Sequence, residues 1–242
     1  MRLVSEPDTP QRTAEMTKAL EQLASSDPAD ALTIAMQESD AKLREALLQG
    51  VLRGWGSLDP SAAADWARSE DTIDHGLAMA SVMNGAVKHP DQAIQLTASL
   101  SQRDPAQIQS YGQYLVFALT RVGDFSAAAD FAVKGAPDIR PNWVVMAYYN
   151  WAVKQQDVAV AAALKLTDPS AQLTAFRAAI SGWAHSDPKT LVDTAENFPE
   201  GQDRKFALTA GLRSWIEKDP AAAADWISHH EYTPEMDAAL EE

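Results

Sequence analysis

The 242-residue chain contains no cysteine. That excludes disulfides, cysteine-ligated zinc and thiol catalysis. It leaves the compartment open: the cytoplasm is the default, and a periplasmic or extracellular site follows if a leader was removed. Long apolar runs are missing as well. No stretch of about 20 hydrophobic residues occurs, so no membrane insertion is expected. The opening MRLVSEPDTPQR has no apolar core of the kind a signal peptide needs. Positive charge is scarce: 20 Lys and Arg face 34 Asp and Glu, for a formal net charge of -14. Only Arg204 and Lys205 are adjacent basic residues. An acidic surface repels phosphate backbones, so nucleic acid is not an expected partner.

Catalytic signatures are absent too. There is no phosphate-binding glycine loop, dinucleotide turn, nucleophile elbow, paired-histidine zinc helix or calcium loop. No cofactor and no metal is expected from the motifs. His229 and His230 are neighbours, so on a helix they point about 100° apart and do not chelate together. Hydrophobic residues make up 46% and charged residues 22%, the balance of a folded protein rather than a disordered one.

What is present is a repeat. LLQGVLRGWGSLDPSAAADWARS from Leu47, TAFRAAISGWAHSDPKTLVDTAENF from Thr174 and ALTAGLRSWIEKDPAAAADWISHH from Ala207 align on Asp59, Asp187 and Asp219. Eleven residues before each anchor stand Leu48, Phe176 and Leu208, and seven before stand Leu52, Ile180 and Leu212. Four before stand Trp55, Trp183 and Trp215. With Val51, Ala179 and Gly211 these follow i, i+3, i+4, i+7 spacing, one stripe of an amphipathic helix. The Asp-Pro step ends that helix and begins another. Proline disfavours helical geometry in the residue before it and suits the first helical position. Aspartate caps the new helix and complements its positive end.

Weaker copies place anchors at Asp27, Asp59, His89, Asp124, Asp157, Asp187 and Asp219, a mean period of 32 residues. Four residues on come Ala31, Ala63, Ala93, Ala128, Ala161, Leu191 and Ala223. Small side chains there predict close approach of neighbouring helices. Seven on come Ile34, Trp66, Leu96, Phe131, Leu164, Thr194 and Trp226, mostly bulky. Each unit reads as a helical hairpin that cannot bury its apolar faces alone and must stack. The expected fold is all-α, an α-α superhelix or solenoid of about seven hairpins. Residues 1–9 are expected to be a flexible segment and 10–242 a single array. A further helix start in YTPEMDAALEE from Tyr232 is expected to belong to a longer array, or else a ligand or second copy covers that end.

YLVFALTRVGDFSAAADFAVKGAP from Tyr114 resembles a tetratricopeptide repeat, with Gly123, Asp124 and Phe125 at the turn, small Ala128, and Pro137 after the second helix. YYNWAVKQQDVAVAAALKLTDP from Tyr148 is similar. The other units, with Asp-Pro in place of Gly-Asp-aromatic, look more like Asp-Pro, Trp-Ala helical repeats of uncharacterised bacterial proteins. The resemblance implies a right-handed superhelix that binds proteins or peptides, and it implies no chemistry.

Two groups of residues are candidates for binding. Asp65, Asp130, Asp193 and Asp225 each lie six residues after an anchor. As a row they would read basic side chains on a partner; as a structural feature, Asp65 and Asp225 would pair with Arg53 and Arg213 of the preceding helix. Of the seven tryptophans, Trp55, Trp66, Trp183, Trp215 and Trp226 hold repeat positions and belong to the core. Trp143 and Trp151 stand off that register, so Trp143 and the nearby Tyr148 are the aromatic candidates, with a densely packed middle repeat as the alternative. The expected function is a non-enzymatic scaffold for a protein or peptide, favouring basic partners. A helical-toroid carbohydrate-active enzyme and a structural spacer in a longer envelope or secreted protein are the rivals.

Overall fold

The computed structural model describes residues 10–198 and 201–230, and among these the chain is all-α, with no strand. The expectations about residues 1–9 and about the helix start after Tyr232 lie outside the described residues. Fourteen α-helices are described. They are α1 (Pro10–Ala24), α2 (Pro28–Met36), α3 (Ala41–Leu58), α4 (Pro60–Ser69), α5 (His75–Ala86), α6 (Pro90–Arg103), α7 (Ile108–Val122), α8 (Phe125–Val133), α9 (Arg140–Lys154), α10 (Gln156–Leu164), α11 (Pro169–Ser186), α12 (Pro188–Ala195), α13 (Gln202–Lys218) and α14 (Pro220–His229). A single 3-10 turn, Pro105–Gln107, precedes α7. No described helix is long and apolar enough to cross a membrane.

One turn geometry recurs. Asp27, Asp59, Asp187 and Asp219 hold φ between -138° and -148° and ψ between 79° and 89°. Each carboxylate accepts the backbone N–H three residues on, at 3.0 to 3.1 Å. Each backbone N–H in turn donates to the carbonyl four residues back, which at Asp59, Asp187 and Asp219 belongs to a tryptophan. Both helix ends are thus satisfied by one residue, which is why the Asp-Pro step needs no loop. His89 takes the same backbone shape without a side-chain cap. The turn at Gly123 is built differently. Gly123 adopts φ 87°, and the N–H of Asp124 reaches the carbonyl of Leu119 at 2.9 Å. This is a glycine-terminated helix end that carries the chain past α7 before α8 begins.

The fifth anchor is two residues from its expected place. Gln155, not Asp157, adopts the recurring turn, with φ -142° and ψ 75°. Counted from Gln155, the small position is Ala159, which is buried, whereas Ala161 is exposed. Leu164, expected in the bulky layer, is half exposed at 50%. The same shift returns Trp151 to the tryptophan position and Tyr148 to the stripe, with Val144 and Ala147 completing it, all buried. Asp157 had the residue type of an anchor, but it lies inside the first turn of α10.

The chain divides into two compact units, Met1–Ala127 and Ala128–Glu242. In the first, α3 packs against α1 and α5, and α5 against α7, while α2 and α4 lie on the first helix of their own pairs. Its core near the start joins Leu20, Ala24, Ala31, Ala35, Leu47 and Val51. In the second unit, α11 packs against α9 and α13, and α10, α12 and α14 flank them. Glycines let neighbouring helices approach closely. A Cβ at Gly54 would stand 2.1 Å from the carbonyl oxygen of Glu21, and one at Gly182 would stand 2.4 Å from that of Tyr149. Both glycines lie five residues before an anchor, so the backbones touch at the same level of the two pairs.

Candidate functional site

The second helices carry a layered face. Ala31, Ala63, Ala93, Ala128, Leu191 and Ala223 are fully buried four residues after their anchors. Eight residues after, Ala35, Ala67, Ala132 and Ala195 are fully buried too. The residue midway between those two positions must then point away from the core. It is Asp65 in α4, Asp130 in α8, Asp193 in α12 and Asp225 in α14, and all four are exposed.

The partner of Asp65 differs from the expected one. Asp65 pairs with Arg103 at the end of α6, at 2.7 Å, while Arg53 pairs with Glu21 of α1 at 3.0 Å. Arg53 lies toward the helix packed beside it, so the expected pairing within one hairpin is replaced by pairing to neighbours. Asp193 takes Lys189 one turn earlier at 2.8 Å, and Asp225 lies 3.7 Å from the ring of His229. The charge of Asp130 acts on Tyr148, whose hydroxyl is pushed up to about 12, first by burial and then by that carboxylate.

The two aromatic candidates are core residues. Trp143 is 4% exposed and stacks on Phe131 of α8, with ring centroids 5.1 Å apart. Tyr148 is 2% exposed and lies 5.8 Å from the Trp151 ring. Neither ring offers a face to solvent, and both are packed inside the second unit. The repeat tryptophans also meet in pairs: Trp55 with Trp66 at 6.3 Å, and Trp215 with Trp226 at 6.1 Å, both tilted. The structure thus gathers Asp130, Trp143 and Tyr148 around the α8–α9 junction. Asp193 and Asp225 belong to other helices of the same unit, and Asp65 belongs to the first unit.

A polar cleft in the first unit went unread in the sequence. It holds about 370 Å³ and is lined by Arg68, His75, Asp104, Gln107, Tyr111 and Tyr114. Tyr111 is buried along its ring, and its hydroxyl donates to Asp104 at 3.4 Å. Burial raises the pKa of that phenol above its ordinary value, with the positive charge of Arg68 opposing and Asp104 reinforcing. The Nδ1 of His75 lies 2.9 Å from the carbonyl of Ala67. A carbonyl only accepts, so Nδ1 carries a proton there. A second cleft of about 340 Å³ opens between α3 and α5, lined by Arg44, Glu45, Leu48, Asp74 and Leu77 among others. No family model matches the chain, and neither a curated protein nor a solved structure matches it significantly.

Proposed function

We propose that the chain is a non-enzymatic repeat scaffold that binds a protein or peptide rich in basic side chains. In this reading about seven hairpins stack as a tetratricopeptide-like α-α superhelix, and the second helices present the recognition face. One observation carries it. Within Ala128–Glu242, the aspartates of α8, α12 and α14 stand at the same point of their helices, exposed, and engage their own helix or a buried tyrosine. A lysine or arginine from outside replaces such local contacts at little cost, since exposed ion pairs are worth about 0–1 kcal/mol. The net charge of -14 adds a long-range field that attracts a cationic partner and speeds encounter.

The test uses the full chain and an amidated, lysine- and arginine-rich peptide of about 15 residues. The probe needs enough length to reach several carboxylates at once, each worth roughly the energy of one exposed pair. Asp65, Asp130, Asp193 and Asp225 are changed together to Asn. Folding should change little, because surface substitutions usually stay within about 0.5 kcal/mol each. Affinity should fall about tenfold or more, and its dependence on salt should flatten. Parent-like affinity with parent-like salt dependence would sink the reading.

A further inference from the structure

The cleft lined by Arg68, His75, Asp104, Gln107, Tyr111 and Tyr114 has a charge pattern that its own residues do not resolve. Arg68 comes from the last turn of α4, and Asp104 follows the last residue of α6. Both face the one cleft, yet they form no ion pair with each other. The Tyr111 hydroxyl feels both charges and is bonded to Asp104. A cation and an anion that line one polar hollow without pairing suit a ligand that carries both signs in reverse order.

Size narrows the ligand. At about 370 Å³ the cleft is near the small end of ligand sites, which run roughly 300–1,000 Å³. That is room for one terminal residue and not for a length of chain. Gly76 helps keep it open: a Cβ there would stand 3.2 Å from the Tyr114 hydroxyl. A peptide residue carries a negative and a positive group together when it is a lysine or arginine at the free carboxyl end. We infer that this cleft binds the C-terminal residue of a peptide ending in Lys or Arg, with the carboxylate on Arg68 and the side-chain cation on Asp104.

The remaining groups fit that placement. Arginine presents paired donors to a carboxylate. Tyr114, half-buried at the cleft, offers a ring and a hydroxyl to the stem and head of a basic side chain, and the Tyr111 hydroxyl holds Asp104 in place. His75, with its Nδ1 proton held by the carbonyl of Ala67, is fixed in the wall of the same cleft. This site goes beyond the acidic row and does not depend on it, because it needs a free carboxyl end, which the amidated peptide lacks.

The experiment is calorimetric titration of the full chain with acetyl-Gly-Gly-Lys bearing a free carboxylate, its C-terminal amide, the norleucine analogue with a free carboxylate, and free lysine. The free-acid lysine tripeptide should bind best, with the amide and the norleucine analogue each weaker by about tenfold or more, the size of one charge-assisted contact. Arg68→Gln should abolish the preference for acid over amide while keeping that for lysine over norleucine. Asp104→Asn should do the reverse; neither side chain makes a helix-capping bond, and circular dichroism checks the fold. Equal binding of acid and amide, or of lysine and norleucine, overturns the assignment, as does no binding of any tripeptide. Tighter binding of free lysine than of the tripeptide overturns the peptide-end assignment in favour of an amino acid.

Discussion

At the scale of single residues, the anchor position has two uses that compete. At Asp187 the side chain caps α12, and the indole Nε1 of Trp183 is buried with no hydrogen-bond partner among the described residues. At Gln155 the side chain makes no cap but accepts from the indole Nε1 of Trp151 at 3.0 Å. A short carboxylate reaches the new helix; a longer amide reaches back to the tryptophan. Removing the cap tests the first use: Asp59→Ala and Asp219→Ala should each cost about 0.5–2 kcal/mol in chemical denaturation. Unchanged midpoints in both would mean the carboxylates do not cap. The tryptophans give a larger effect. Trp183→Ala and Trp143→Ala should each cost about 3–5 kcal/mol, since both rings are almost fully buried. Loss of partner binding without loss of stability at Trp143 would restore it as a surface residue. Asp168 adds a pH effect. The backbone N–H of Ala171, with that of Ser170 and the Arg140 side chain behind it, holds its carboxyl below the usual aspartate range. A carboxyl depressed in the folded state stabilises above its unfolded value, and that contribution is lost as pH falls through the folded one. Asp168→Asn should therefore leave the chain less stable at neutral pH, with the gap from the parent closing below about pH 4.

At the scale of helices and their packing, what could be read in the sequence was whatever one segment encodes by itself. The Asp-Pro starts are local: the cap, the proline and the last turn of the preceding helix lie within a few residues. The stripe of Leu48, Val51, Leu52 and Trp55 is local too, and it is where helical periodicity places it, on the helix that packs against α1 and α5. The register of α10 was not legible, because no proline marks its start and Asp157 imitates an anchor two residues late. Ion-pair partners were not legible either. Arg53 and Asp65 look matched within one hairpin, yet each reaches a different neighbouring helix, and only the packing of α1, α3, α4 and α6 decides that. The glycines show how tight that packing is. Gly54→Ala and Gly182→Ala put a methyl group against a carbonyl of the adjacent helix, and backbone cannot swing aside as a flexible side chain can. Each should destabilise by about 1–3 kcal/mol, against the small gain alanine brings to an isolated helix. A stabilising effect at either site would mean these helices are free to separate.

At the scale of the molecule, charge is the property that no local reading replaces. The polar cleft escaped the sequence because Arg68, Asp104 and Tyr111 come from three separate elements and belong to no spacing rule. The acidity was legible at once, and its consequence follows from adding opposing terms. The inter-helix pairs Arg53–Glu21, Arg103–Asp65 and Arg140–Asp168 are all partly exposed, and each is worth about 0–1 kcal/mol. Against them stands the mutual repulsion of a net charge of -14. Salt screens both, but unequally. The pairs act across 2.7 to 3.0 Å. The repulsion is summed over many longer separations, where a Debye length of about 10 Å at 0.1 M already cuts it. Repulsion should therefore be the term that screening weakens more. The thermal midpoint of the full chain should rise by a few degrees as sodium chloride goes from roughly 10 mM to roughly 0.5 M at neutral pH. Scanning calorimetry at several salt concentrations measures it. A midpoint that falls with salt would show that the three pairs outweigh the repulsion, and it would remove the long-range field as a reason to expect basic partners.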